Sequence, residues 1–313
     1  QTMKTKLLLQ AAMAAAIFVF QACGSDEPDE PAPVPGTDEP TQTIDVRVMS
    51  CNIRVCPTYD SYFDGDNNWR YRKEELIKVI KDQTPDIIGM QEVLYNQLND
   101  VKPAFDDDYI AFGVGGDDGD TNGCFNELFV SRKRFDIIDN GYFWLSDTPD
   151  KPSTGWGAYD YRTAVWAKLK DKETDKILLA VNTHLDHQSA DARVKGAILV
   201  LDSIQSMINE GNVVLTGDFN SSKSDLAIQT ITTNMFGSFH LTDSRTIAEA
   251  KEGPEWTYHG WGSLIASNEC TLIDFVFVGG NIGCAKHTHL DTTYGDGRYP
   301  TDHLPVVADL TVK

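Results

Sequence analysis

The sequence predicts an α/β fold in which two β-sheets stack face to face and helices cover their outer faces. Three observations predict it. Strand-like and helix-like segments alternate along the chain. Several of the strands are short apolar runs of the kind buried on both faces. One long segment, 189–209, has an apolar stripe at helical spacing, formed by Val194, Ala197, Ile198, Leu201, Ile204 and Ile208. In order, 46–52 reads as a strand, and 67–83 as a helix that carries Leu76, Ile77, Val79 and Ile80 and stops before Pro85. The segment 86–90 (D-I-I-G-M) reads as a buried strand, followed by strands at 109–113, 125–131, 136–144, 162–170 and 176–184. After the long helix come a buried strand at 213–216, a hairpin of 271–278 with 283–288 across Gly279-Gly280, and a last strand from Val306 to Val312. The Gly/Asp-rich stretch from Gly113 to Gly123 reads as a loop, and no internal repeat is visible.

The first residues do not read as fold. Lys4 and Lys6 precede an apolar run from Leu7 to Phe20, broken only by Gln10. At roughly 14 residues this suits a signal segment better than a membrane span. It ends in Ala22-Cys23, which resembles a bacterial lipoprotein signal in which the cysteine is lipidated; an ordinary secretory signal with an incidental cysteine is the alternative. Residues 23–45 hold seven acids, five prolines and no base, too little apolar surface to offset chain entropy. The expected organisation is a signal at 1–22, an acidic tether at 23–44 and a catalytic domain at 45–313. The resemblance implies export and a lipid anchor in a bacterial envelope membrane, with the acidic stretch resembling a surface-export signal. Membrane contact is expected only through that anchor, and no obligate protein partner is inferred.

The chain carries a net charge of −20, which argues against tight non-specific binding of polyanions, since phosphate contacts need lysine and arginine. A bound metal ion would reverse the local sign, so a nucleic acid substrate stays open. Beyond Cys23 there are five cysteines, at 51, 56, 124, 270 and 284, with no zinc-like spacing. Cys51, inside an apolar strand, reads as a buried free thiol.

Chemistry-bearing residues sit where the predicted strands end, the usual place for a ligand site on an open α/β scaffold. They are Asn52 in V-M-S-C-N, Glu92 in I-I-G-M-Q-E, His184 in A-V-N-T-H-L-D-H, Asp218 and Asn220 in V-V-L-T-G-D-F-N, Asp274 in T-L-I-D-F-V-F-V, and Asp302-His303 in T-D-H-L-P. Singly, each has an ordinary explanation as a turn residue, a helix cap or a hydrogen-bonding histidine. Together they supply hard oxygen ligands that suit Mg²⁺, Mn²⁺ or Ca²⁺ rather than zinc. Two histidines beside such an ion are what phosphate-ester hydrolysis requires, one at the attacking water and one at the leaving oxygen or phosphoryl charge. Such a site should bring Glu92, Asp218, His184 and His303 into one cleft.

In this order, the motifs resemble the endonuclease/exonuclease/phosphatase (deoxyribonuclease I-like) superfamily, and the resemblance runs from Asn52 to His303. It implies the two-sheet sandwich and a one-step, in-line displacement by water. Glu92 matches the metal-binding glutamate, with Asn52 as ligand or neighbour and Asp302 on the metal side. Asp218 and Asn220 match the pair that orients the water and touches the phosphate. Asp274 matches the aspartate that holds His303 in its useful tautomer, and His184 matches a second histidine absent from the abasic-site branch. Asn126, in C-F-N-E-L-F-V, stands where relatives place a phosphate-contacting asparagine, and Arg162 could grip a phosphate; a strand-edge residue and a structural ion pair explain them equally well. Asp186, His187 and Arg193 are read as fixing the loop and helix after His184, with the metal as the other option for Asp186. The expected substrate is a phosphorylated small molecule or a phosphodiester. The alternatives are a secreted nuclease of the same fold and a catalytically silent cell-surface binding module. No G-x-S-x-G elbow is present.

Overall fold

The computed structural model describes residues 43–60, 62–208, 211–233 and 240–313. The signal segment, Cys23 and the tether as far as residue 42 lie outside them. Ile44, expected to end the tether, is instead buried in the first strand.

The elements in chain order are β1 (Ile44–Asn52), α1 (Trp69–Gln83), β2 (Ile87–Val93), α2 (Tyr95–Phe105), β3 (Tyr109–Phe112), β4 (Phe125–Ser131) and β5 (Phe135–Trp144). Then follow β6 (Thr163–Asp171), β7 (Ile177–His184), α3 (Ala190–Ile208), β8 (Asn212–Asp218), α4 (Leu226–Thr232), β9 (Thr242–Asp243) and α5 (Ser244–Ile247). The chain closes with β10 (Ala248–Glu252), β11 (Asp274–Gly279), β12 (Ile282–His289) and β13 (Val306–Val312). One sheet has the order β10-β12-β13-β1-β2-β4-β3 and the other β5-β6-β7-β8-β11-β9. Their inner faces share a core that includes Val46, Val48, Ile87, Val165, Ala180, Val214, Val276 and Leu310. A second cluster packs α1 and α2 on the first sheet through Leu76, Ile80, Leu98 and Phe105. A third packs α3 and α4 on the second sheet through Ala197, Leu201, Ile204 and Ile228. This is the expected two-layer sandwich of the deoxyribonuclease I type.

Two parallel pairs set the functional end. β1 pairs with β2 and β7 with β8, each across a helical crossover, so four strands finish at the same rim. Helix α1 starts there because the Asn68 side chain accepts the Arg70 N–H at 3.2 Å. It stops at Thr84 in the left-handed conformation, followed by Pro85.

Three expectations need correction. The hairpin across Gly279-Gly280 does not form: β11 pairs with β8 and β9, whereas β12 pairs with β10 and β13 in the other sheet. Gly280 turns the chain from one layer to the other at φ +83°, where an added Cβ would lie 2.8 Å from the Gly211 carbonyl. Helix α2 was not anticipated, because its Asn, Asp and Pro103 mask the apolar spacing of Leu98, Val101 and Phe105. Asp274 opens its strand rather than closing it; β11 runs antiparallel to β8 and puts Asp274 opposite Asp218. It reaches the same rim from the other direction.

Candidate active site

The rim holds a cavity of about 380 Å³ lined by Glu92, His184, Asp218, Asn220, Asp302 and His303, with Arg54, Asp160, Arg162, His187 and Tyr258 around them. The expected constellation therefore converges from both sheets.

Asn52 joins the two sides. Its Nδ2 donates to Glu92 Oε1 at 3.0 Å and to Asp218 Oδ2 at 2.9 Å, while its Oδ1 accepts the Arg54 N–H at 2.9 Å. It presents its amide hydrogens, not its oxygen, to the two carboxylates. Glu92 sits at an irregularity between β2 and β4 with φ +61°, a strained conformation for a non-glycine residue. Its Oε2 accepts from Val55 N at 2.8 Å. Burial pushes its carboxyl up, but the charge of His303, the N–H groups of Asn52 and Val55, and Arg54 outweigh burial and hold it below the ordinary range.

Asp218 is buried, its Oδ1 accepting from Asn220 N at 2.9 Å. Burial and then the neighbouring charge of Asp274 raise its carboxyl, against His303. His303 Nδ1 donates to Asp274 Oδ2 at 2.8 Å, and its Nε2 lies 3.8 Å from Asp218 Oδ2. Burial lowers the imidazole, but Asp274, Asp218 and Asp302 outweigh it and raise it to about 10. The ring is thus an imidazolium at neutral pH. Asp274 is in turn held by its own N–H, which donates to Thr257 Oγ1 at 3.1 Å.

His184 is the opposite case. Arg162 Nη1 lies 3.0 Å from its Nδ1, and a guanidinium has no acceptor, so Nδ1 carries the lone pair and Nε2 the proton. Nε2 lies 2.9 Å from Asn220 Nδ2, itself a donor to the Leu185 carbonyl, which leaves Asp218 Oδ2, at 3.5 Å, as the acceptor its proton faces. Burial first, then the charges of Arg162, His303 and His187, hold His184 well below the ordinary histidine range. One ring is charged and the other neutral, within one cavity.

The residues fit a divalent cation. Ligand atoms of Glu92, His184 and Asp218 lie within 4.8 Å of one another. Asp302 is buried on the cavity wall, with Oδ2 3.8 Å from Arg54 Nε and Oδ1 without a hydrogen-bond partner among the described residues. An orphaned, buried carboxylate oxygen beside two further carboxylates is the donor set that a hard cation completes.

Two candidates stand apart. Asn126 does not line the cavity; its Nδ2 donates to the Thr163 carbonyl at 2.7 Å and to Thr163 Oγ1 at 3.0 Å, tying β4 to β6. Arg162 does line it, but its donors are turned sideways, to His184 Nδ1 and to His187 Nδ1 at 3.0 Å. Asp186 accepts four backbone N–H groups, from Tyr159, Asp160, Gln188 and Ser189, and anchors the loop beside the cavity. Both of its oxygens accept hydrogen bonds there.

Sequence reasoning missed Arg54, Tyr258 and Arg72. Arg54 pairs with Asp64 at 3.1 Å and lines the cavity two residues after Asn52, a proximity that was its one available signal. The Tyr258 ring lies 4.9 Å from that of His303. Fully buried Arg72 donates to the carbonyls of Ile53, Arg54, Asn67 and Pro300, binding the segment after β1 to the segment before Asp302. On a helix it reads as a surface cation, so nothing in the sequence marks it.

A sandwich whose two parallel strand pairs deliver carboxylates and a histidine to one rim, where β11 and the segment before β13 add an aspartate-held histidine, is of the deoxyribonuclease I-like class. Residues 49–303 match the endonuclease/exonuclease/phosphatase family, and the chain belongs to it. An endonuclease/exonuclease/phosphatase from Bacteroides vulgatus is 38% identical, with a TM-score of 0.79 over 86% of this chain and 100% of that one. A mannosyl-6-phosphatase of Bacteroides thetaiotaomicron is 30% identical, with a TM-score of 0.77 over 85% and 99%. An uncharacterized protein of Acanthamoeba polyphaga mimivirus is 28% identical over 82% of this chain and 97% of its own length.

Proposed function

We propose that the protein is a divalent-metal-dependent hydrolase of phosphate esters, acting on a small phosphorylated molecule. The observation that carries this reading is the meeting, in one cavity, of three carboxylates with an imidazole held by Asp274 and a second one held by Arg162. Glu92, with Asp218 and Asp302, would hold the cation, which supplies charge neutralisation at the phosphoryl oxygens. Asp218, 3.5 Å from His184 Nε2 and 3.8 Å from His303 Nε2, is placed to receive the proton of the attacking water. His303, fixed by Asp274, presents an imidazolium N–H to the same oxygens. His184 has no proton to give up easily; its neutral Nε2–H hydrogen-bonds the oxygen on which charge develops. Asn52 and Asn220 hold these groups in place. Relatives at 30% identity include the mannosyl-6-phosphatase, which supports a monoester of a small molecule over a polymer.

The test is hydrolysis of p-nitrophenyl phosphate and bis-p-nitrophenyl phosphate with Mg²⁺, Mn²⁺ or chelator. Turnover should vanish with chelator, and Glu92→Ala and His303→Ala should each lower kcat on the order of 10²-fold or more. Folded protein that turns over no ester with any divalent ion would move the binding-module reading to the front. Preferred cleavage of single- or double-stranded nucleic acid would favour the nuclease reading. We also propose export with a lipid at Cys23; Cys23→Ser should abolish fatty-acid labelling and release the protein from membranes.

A further inference from the structure

One lip of the catalytic cavity is built differently from its floor. There, Arg162 Nη2 lies 3.0 Å from His187 Nδ1, so by the same donor argument His187 keeps its proton on Nε2. That nitrogen sits 3.3 Å from Gln188 Nε2, itself a donor, so its proton stays available to an acceptor on the exposed side, and the side chain is 41% exposed. Asp160 lies beside it, its carboxylate 3.4 Å from Arg162 Nη2 and 49% exposed. Tyr159, 66% exposed, sets its ring edge-on to His187 at 5.3 Å. The backbone of both 159 and 160 is pinned to buried Asp186, so the lip is pre-formed rather than a loose loop.

We propose that Tyr159, Asp160 and His187 form the subsite for the organic part of the substrate, and that this part is a polyol, a sugar bearing neighbouring hydroxyls. The inference rests on the phosphoesterase reading of the adjoining cavity. An exposed carboxylate accepts two hydroxyl protons at once, the His187 N–H donates to a third oxygen, and the open tyrosine face packs on the ring's C–H side. A few fixed polar groups beside an aromatic face are what orient a small ligand. The lip opposes a polynucleotide: Asp117, Asp118 and Asp120 stand on the neighbouring loop, and Asp117 is close enough that Asp160, after burial, helps push its carboxyl up. Successive backbone phosphates would meet like charge there.

The experiment is calorimetric titration of the protein carrying His303→Ala, which keeps the ester intact, with a hexose 6-phosphate and with inorganic phosphate in Mg²⁺. The sugar phosphate should bind at least tenfold more tightly than inorganic phosphate, and Asp160→Ala or Tyr159→Ala added to that background should bring the ratio close to one. Inorganic phosphate is the internal control: if Asp160 serves only to orient Arg162, both ligands weaken together, the ratio stands, and the proposal falls. Equal binding of the two ligands, binding of neither, or stronger binding of a single-stranded oligonucleotide overturns it as well. Failure of the phosphoesterase reading shows elsewhere, as absence of metal-dependent turnover of p-nitrophenyl phosphate by the unsubstituted protein.

Discussion

Glu92 adopts φ +61°, a conformation that costs a non-glycine residue on the order of 1–3 kcal/mol. It persists because both carboxylate oxygens are taken up, by Asn52 and by the Val55 N–H. The strain aims the carboxylate out of β2 towards Asp218, which a regular strand would not do. Asp274 acts on His303 in a comparable way, through the 2.8 Å bond to Nδ1 and through its charge. Asp274→Asn keeps the shape and removes the charge. It should lower kcat on the order of 10²-fold or more while KM changes little, because the imidazolium loses the group that stabilises it. Steady-state kinetics at saturating Mg²⁺ checks this, and an unchanged kcat would remove Asp274 from the site's working parts.

Among the elements, what was legible in the sequence was whatever local pattern decides. Strand β13 fell where expected, at Val306–Val312, and α3 within a residue at each end, because buried apolar runs and a 3.6-residue stripe are local signals. The strand-tip residues were legible for the same reason, each closing or opening an apolar run. The sheet assignment of β11 and β12 was not, since two adjacent strands separated by Gly-Gly pair or part according to distant neighbours. The corner made by α5, β10 and β12 was also hidden, and it carries a pH dependence. His287 and His289 are buried there with rings 5.2 Å apart; His287 Nδ1 meets Ser244 Oγ and His289 Nδ1 donates to the Pro254 carbonyl. Burial first, then His289, Arg245, Lys223 and Lys251 lower His287 to about 2; burial and then Arg245 lower His289 to about 4, against the Pro254 carbonyl, Glu255 and Asp274, which raise it. In the unfolded chain both take a proton near pH 6.5, whereas the folded protein keeps them neutral. Stability is therefore full above pH 6.5 and falls as pH drops, by about 3 kcal/mol for His289 alone between pH 6.5 and 4. His289→Gln should move the acid-unfolding midpoint, followed by circular dichroism, to lower pH; an unmoved midpoint would assign the acid lability to other groups.

At the scale of the molecule, the two sheets must meet at a fixed spacing, because Glu92 comes from one and His184 and Asp218 from the other. An apolar interface alone would let them slide. Just beneath the cavity the interface is instead polar: Asn182 Nδ2 donates to the Met90 and Glu127 carbonyls at 2.8 and 3.0 Å, and its Oδ1 accepts from Gln91 Nε2 at 2.7 Å and Thr216 Oγ1 at 3.1 Å. One fully buried side chain thus joins β2 and β4 to β7 and β8. Gly89 leaves room for it, since a Cβ there would lie 2.6 Å from Asn182 Oδ1. Asn182→Ala orphans several buried groups, each worth about 1–3 kcal/mol, so a loss of roughly 2–4 kcal/mol in urea unfolding is expected. The functional consequence is separate. With the spacing freed, kcat/KM per folded molecule should fall on the order of tenfold or more even at temperatures where the variant is fully folded, since small misplacements of reacting groups are costly. If stability drops but kcat/KM per folded molecule does not, the network serves folding alone, and the alignment of the two halves of the site must come from the Asn52 bridge at the rim.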